Sequence, residues 1–63
     1  MFKYYVTFCD VRFVAPIDYY FYQTDALLDN ETEIRKLVFE IASGRDKYCK
    51  ESNIVILNWK RLD

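Results

Sequence analysis

Acidic side chains in the middle of the chain are the first candidates for chemistry in this sequence. Asp25, Asp29, Glu31 and Glu33 offer carboxylate oxygens, which are the ligands that hard cations such as Ca²⁺ prefer. They lack the glycine turn and the ligand spacing of a calcium-binding loop, and capping of a following helix accounts for three of them. We therefore expect the chain to hold no metal and no cofactor.

The composition excludes most other kinds of catalytic site. The sequence contains no histidine, which removes Ser-His and Cys-His dyads and every zinc site that needs imidazole. Its single glycine, Gly44, excludes glycine-rich loops that bind phosphate. Asp10 and Asp18 flank a predicted hairpin connection and could face each other as paired carboxylates, although ordinary solvation of a loop explains them as well. We expect the protein not to be an enzyme.

The two cysteines, Cys9 and Cys49, are more typical of structure than of reactivity. Cys9 lies in an apolar segment, where a cysteine usually behaves as a small hydrophobic residue. The first residues lack the basic and apolar regions of a secretory signal, and no apolar run approaches the ~20 residues of a membrane span. We expect free thiols, no contact with membranes and a location in the cytoplasm.

Length and charge limit the size of the domain and the kind of partner. Sixty-three residues form a single domain, residues 1–63, and 52 % of them are hydrophobic, which is enough for a small core. Nine basic and ten acidic side chains give a net charge of −1. This excludes the strong basicity of a protein that binds duplex DNA, and equally the dense acidity of a protein that mimics DNA.

Three segments have the pattern of strands and one has the pattern of a helix. Residues 2–14 and 17–24 are rich in aromatic and β-branched types, and Ala15-Pro16 separates them. The apolar alternation changes phase near Cys9-Asp10, which predicts a bulge or the end of the first strand there. Residues 53–62 contain an unbroken apolar run that predicts the last strand.

The helix is predicted between the second and third strands. Asn30 followed by Glu33 resembles a capping box, and Ile34, Leu37, Val38 and Ile41 then form one apolar face. Gly44 either ends this helix or lies within it. The order β-β-α-β predicts an α+β domain with a three-stranded antiparallel sheet, in strand order 2-1-3, and the helix on one face.

One helix can cover one face of this sheet and leaves the other face without intrachain cover. The residues expected beneath the helix are Tyr4, Val6, Phe8, Tyr19, Phe21, Val55 and Leu57. The residues expected on the uncovered face are Tyr5, Thr7, Cys9, Tyr20, Tyr22, Ile54 and Ile56.

An uncovered apolar patch usually marks an association surface. The predicted partner-binding residues are Tyr5, Thr7, Tyr20, Tyr22, Ile54, Ile56 and Lys60. A homodimer is the first explanation of the patch; a different protein partner and a sheet that is merely exposed are the others.

Single-stranded nucleic acid is an alternative ligand for the same face. Sheets that recognise RNA stack bases on aromatic side chains beside basic residues, and Tyr5, Tyr20 and Tyr22 with Lys3 and Lys60 would imitate that arrangement. The acidic isoelectric point, near 5.3, and the absence of a basic run argue against it.

The first and last strands carry a resemblance to known proteins. Residues 3–8 read KYYVTF and residues 53–62 read NIVILNWKRL. Together with the acid-capped helix between them, they resemble small uncharacterised proteins that phages and prophages of Gram-positive bacteria encode. The resemblance implies a mobile-element accessory protein, a group whose members often bind and block one host protein, and of which anti-CRISPR proteins are one class.

These observations give three hypotheses for function. The first is a non-catalytic phage accessory protein that inhibits a host protein in the host cytoplasm, such as a CRISPR effector, through protein contacts. The alternative is a homodimeric protein with a tyrosine-rich sheet face that either binds single-stranded nucleic acid or acts as a regulatory protein. The third is a structural subunit of a larger assembly.

Overall fold

The computed structural model of the protein describes residues 1–13 and 17–62, which form an antiparallel sheet with one helix against it. In chain order the elements are strand β1 (Phe2–Asp10), strand β2 (Ile17–Thr24), helix α1 (Glu31–Arg45), a 3₁₀ turn (Glu51–Asn53) and strand β3 (Ile54–Arg61). The strand order is β2-β1-β3, with β1 antiparallel to both neighbours. The predicted α+β fold, its β-β-α-β order and its sheet topology are confirmed.

The strands begin and end close to where the sequence pattern changes. β1 ends at Asp10, which was one of the two explanations for the change of phase at that point. The irregular pairing lies elsewhere, between β1 and β3: Thr7 pairs with Asn58 and Phe8 with Ile56, so Leu57 is an extra residue on β3. The predicted break at Ala15-Pro16 lies outside the described residues.

Helix α1 begins at the predicted cap. The side-chain oxygen of Asn30 accepts a hydrogen bond from the backbone N–H of Glu33 at 3.0 Å, and its carbonyl accepts from the N–H of Ile34 at 3.1 Å. The side-chain bond satisfies one of the N–H groups that a helix leaves without an intrahelical partner at its start, and the carbonyl bond is the first bond of the helix itself. The helix continues through Gly44 and ends at Arg45.

The hydrophobic core lies between α1 and one face of the sheet. Val6 and Leu37 have no exposed surface, and Phe8 and Ile41 have only 2 %. The other buried apolar residues come from both layers and from the segment before the helix: Tyr4, Tyr22, Leu28, Ala42 and Ile54. The hydroxyl of Tyr4 accepts a hydrogen bond from the N–H of Leu28 at 3.0 Å, which holds that segment over the end of the sheet.

A charged residue, Asp10, is buried at the edge of this core with 1 % of its surface exposed. Its carboxylate accepts hydrogen bonds from the guanidinium of Arg12 at 2.8 and 3.0 Å and from Nε of Arg45 at 2.9 Å. A buried carboxylate is tolerated only when such partners replace the water that it has lost. Asp10 therefore joins the end of β1 to the turn after it and to the last turn of α1.

The two arginines extend this pairing to a further pair of carboxylates. Arg45 also donates to Asp18 at the start of β2, at 3.1 Å, and Arg12 donates to both oxygens of Asp46, each at 3.2 Å. Charges of alternating sign therefore run in the order Asp46, Arg12, Asp10, Arg45, Asp18; we call these five residues the charge network. Hydrogen bonds from Arg12 hold the pKa of Asp10 well below its usual range and lower the pKa of Asp46.

The cap of α1 gives a test of where the helix begins. We expect Asn30→Ala to lower the free energy of unfolding by about 0.5–2 kcal/mol, because the N–H of Glu33 loses its acceptor. Asn30→Asp keeps a side-chain acceptor at the same place and is the matched control. Urea denaturation of the three proteins measures the difference; equal stability of Asn30→Ala and the natural chain would contradict the cap.

The charge network gives a test in acid. Because folding lowers the pKa of Asp10, the network stabilises the fold above the ordinary carboxyl pKa of about 3.9, and this stabilisation is lost as the pH falls toward the lowered pKa of the folded state. At neutral pH, Asp10→Asn should lower the urea midpoint more than Asp18→Asn or Asp46→Asn, whose carboxylates are about half exposed.

The same three variants should differ in how steeply their stability falls from about pH 5 to about pH 2. We expect the flattest dependence from Asp10→Asn, because its amide does not titrate. Equal slopes for all three variants and the natural chain would show that Asp10 does not dominate acid unfolding.

Candidate partner-binding face

The register of the sheet decides which side chains the helix covers. Tyr4 pairs with Tyr22 and Phe8 with Asp18, so the even-numbered residues of β2 share a face with the buried residues of β1. Tyr5 pairs with Phe21 and with Lys60 on the opposite face. We call this opposite face the open face; its side chains are Tyr5, Thr7, Cys9, Ile17, Tyr19, Phe21, Val55, Asn58 and Lys60, with Lys3 and Gln23 at one end.

Aromatic side chains form the centre of the open face. The rings of Tyr5 and Tyr19 stack with centroids 5.3 Å apart, and the ring of Phe21 meets Tyr5 edge-on at 5.1 Å. These contacts order the rings without covering them, since Phe21 is 71 % exposed and Tyr19 is 55 % exposed. Ile17 and Val55 are also exposed and extend the apolar surface along two strands. This arrangement presents a fixed aromatic surface to solvent.

The charge of the open face is positive and is confined to one end. Lys3 pairs with Gln23, and Lys60 pairs with Tyr5, so both ammonium groups lie at the end where β1 begins. Asp10 and Asp18 lie on the covered side, and no described residue of the open face is acidic. The face therefore differs in sign from the chain as a whole, whose net charge is −1.

The structure separates the predicted partner-binding residues into two groups. Tyr5, Thr7 and Lys60 lie on the open face, as predicted. The expected placement on the uncovered face is wrong for the other four, which lie on the covered face: Tyr20, Tyr22, Ile54 and Ile56. Tyr22 is 5 % exposed and Ile54 is 6 % exposed, and the remaining two are partly buried against the core.

The error has a physical cause in the composition of β2 and β3. Both strands carry large apolar residues on both faces, so alternation does not show which face is covered. Four residues that were expected beneath the helix are consequently exposed: Tyr19, Phe21, Val55 and Leu57. Charge was the more informative signal. Asp10 alternates in step with Phe8, so the two side chains point to the same face. If Asp18 lies near Asp10, it points to that covered face too, and so do Tyr20 and Tyr22.

Tyr20 is held by a polar contact rather than presented to a partner. Its hydroxyl donates to a carboxylate oxygen of Glu40 on α1 at 2.5 Å. Burial and this hydrogen bond together raise the pKa of Tyr20 to about 12, because both favour the neutral phenol. Tyr20 therefore fastens β2 to the helix.

The described part of the chain also bears on metal binding, on membrane spanning and on the state of the two thiols. Residues 1–13 and 17–62 contain no group of three His, Cys, Asp or Glu side chains placed to hold a metal ion. Within the same residues no helix is long and apolar enough to cross a membrane. Cys9 and Cys49 are free thiols, and Cys49 lies near Asp10, with its sulfur 3.9 Å from the carboxylate.

No family model, curated protein or solved structure matches this chain. The geometry and chemistry of the open face, together with the sequence pattern of residues 3–8 and 53–62, are therefore what bears on its function.

Two neighbouring aromatic residues of β2 test the assignment of the faces. Tyr22→Ala should lower the free energy of unfolding by about 3–5 kcal/mol, because it removes a buried ring. Phe21→Ala should lower it by less than about 1 kcal/mol, since Phe21 contributes only a cross-strand contact with Tyr5. Thermal or urea denaturation distinguishes the two, and the reverse order of stabilities would mean that the faces are exchanged.

Proposed function

We propose that this protein is a non-catalytic binding protein that attaches to another protein through its open face. The observation that carries the proposal is the ordered aromatic cluster on the side of the sheet opposite the helix, in which the exposed rings of Tyr19 and Phe21 contact a partly buried Tyr5. A small soluble domain usually covers such a surface, and an apolar patch that stays exposed is typical of an interaction site.

The energetics of the cluster favour a protein partner. Full burial of a side chain such as Phe21 stabilises a complex by about 1.5–3 kcal/mol. Aromatic residues at the centre of an interface commonly contribute most of its binding energy. The rings of Tyr5 and Tyr19 are already stacked, so binding costs little additional ordering of these side chains.

We further propose that the partner is a protein of a bacterial host and that binding inhibits it. This part of the proposal is supported by the resemblance of residues 3–8 and 53–62 to phage and prophage accessory proteins. A protein of that kind acts in the host cytoplasm, and a CRISPR effector or another defence protein is the class of target that the resemblance favours.

Single-stranded nucleic acid is the second candidate ligand of the open face. Lys3 and Lys60 lie beside Tyr5, and a ring with a neighbouring ammonium group can hold a base and its phosphate. Two cations are few for such a surface, and the net charge of −1 opposes the approach of a polyanion. A protein partner is therefore the stronger proposal.

The proposal can be tested by crosslinking from the open face. A photo-crosslinking phenylalanine analogue at position 21, in chain expressed in a Gram-positive host, should become attached to one host protein, which mass spectrometry identifies. The same analogue at position 39 is the matched control, because Phe39 is exposed to a similar degree, 60 %, but lies on α1.

The affinity for the identified protein then tests the face itself. Phe21→Asp should weaken binding by at least tenfold, and Phe39→Asp should not. Little change in affinity with salt supports a protein interface, whereas a steep loss of binding with salt, together with crosslinks to nucleic acid, would favour the alternative. Equal effects of the two substitutions would contradict the proposal.

A further inference from the structure

The two edges of the sheet differ in how well they are protected against pairing with another strand. Edge β3 contains the extra residue Leu57 and ends with Lys60 and Arg61. Its backbone N–H at Trp59 donates to the side chain of Asn58 at 2.9 Å. A bulge, cationic side chains and locally satisfied amides are devices by which proteins prevent strand addition at a sheet edge.

Edge β2 lacks most of these devices. Its pairing with β1 is continuous from Phe2 with Thr24 to Cys9 with Ile17, without a bulge. Its one charged side chain is Asp18, near its start, and residues 19–24 contain neither a charge nor a proline. No other strand pairs with β2 in the described part of the chain. An edge of this length and composition is a template for another strand.

One hydrogen bond shows which backbone N–H groups of β2 point away from β1. The N–H of Tyr19 donates to the side chain of Asp18 at 2.8 Å, so it points away from β1. The backbone N–H groups of successive residues in a strand point alternately to its two edges, so the N–H groups of Phe21 and Gln23 point outward as well. Unlike Tyr19, these two residues have no side-chain acceptor for their amides among the described contacts.

We propose that a second copy of this chain pairs with residues 20–24 of β2 in antiparallel orientation. The pairing joins two three-stranded sheets across a two-fold axis into one sheet of six strands. Each strand then supplies the acceptors and donors that the other lacks. This surface is the edge of the sheet and is separate from the open face of the proposed function.

Charge favours a second copy in this orientation. Antiparallel pairing centred within residues 20–24 places the two Asp18 side chains at opposite ends of the contact, where water and salt screen them from each other. Parallel pairing would place them side by side. The uncharged segment brings no like charges together, so the edge is compatible with its own copy.

The position of α1 also leaves room for a second copy. The helix backbone approaches β3 more closely than β2, and it contacts β2 through the side chains of Glu40 and Arg45. With strands spaced by about 4.8 Å, the two copies of β1 lie about 14 Å apart, which exceeds the helix diameter of roughly 10–12 Å. Tyr20 and Glu40 of each copy would line the space between the helices.

The pairing would enlarge the surface available to a partner. The open faces of both copies become continuous, because a two-fold axis perpendicular to the sheet keeps both helices on one side. Phe21 of each copy then lies near the centre of the joined face rather than at its margin. A chain of 63 residues thereby presents an aromatic surface of twice the width.

The test compares two substitutions at one exposed position of β2. Gln23→Pro removes the outward N–H and leaves the bonds to β1 intact, whereas Gln23→Ala shortens the same side chain and keeps the N–H. Light scattering coupled to size-exclusion chromatography should give twice the monomer mass of 7.7 kDa for the natural chain and for Gln23→Ala, and the monomer mass for Gln23→Pro. Circular dichroism confirms that all three remain folded.

Two further measurements separate this contact from association through the open face. Val55→Lys places a charge on the open face away from β2 and should leave the mass doubled; if it gives monomers, the copies associate face to face and the proposal fails. Amide exchange at Phe21 and Gln23 should be slow in concentrated protein and fast after dilution. A natural chain that stays monomeric, or a Gln23→Pro variant that stays dimeric, overturns the proposal.

Discussion

The burial of one carboxylate, that of Asp10, determines how the helix and the sheet are joined. An ionised group with 1 % of its surface exposed must be paired, and its partners come from two different elements, Arg12 after β1 and Arg45 at the end of α1. Each arginine is in turn shared with an exposed carboxylate. A shift of the helix away from β1 would leave the buried charge of Asp10 short of a partner, so this carboxylate favours the observed packing of the two elements.

The covered and open faces follow from that arrangement. Arg45 binds Asp18 as well as Asp10, which fixes the start of β2 with its even-numbered residues toward the helix. Tyr20 and Tyr22 then enter the covered layer, and Tyr19 and Phe21 remain outside it. The proposed binding surface is thus the side of the sheet that these covered contacts leave exposed. A chain with a single helix has no second layer among its described residues for these rings.

Local patterns in the sequence predicted the elements, and they failed to predict the faces of two strands. The capping pair Asn30 and Glu33, and the strand limits at Ile17 and Thr24, depend on neighbouring residues, so the sequence is sufficient for them. The face that β2 turns toward the helix depends instead on contacts between residues distant in the sequence, Asp18 with Arg45 across 27 residues and Tyr20 with Glu40 across 20. Hydrophobicity could not supply it, because both faces of the strand are aromatic. The positions of Asp10 and Asp18, which share Arg45, were one clue to it.

The extra residue in β3 has a consequence for comparing this chain with others. Leu57 separates two halves of the strand, and the alternation of covered and open positions restarts after it, with Ile54 and Ile56 covered before it and Lys60 on the open face after it. A relative that lacks this residue would be aligned correctly only with a one-residue gap at this point. An ungapped alignment would equate core positions with surface positions along half of β3, and substitution patterns read from it would be inverted there.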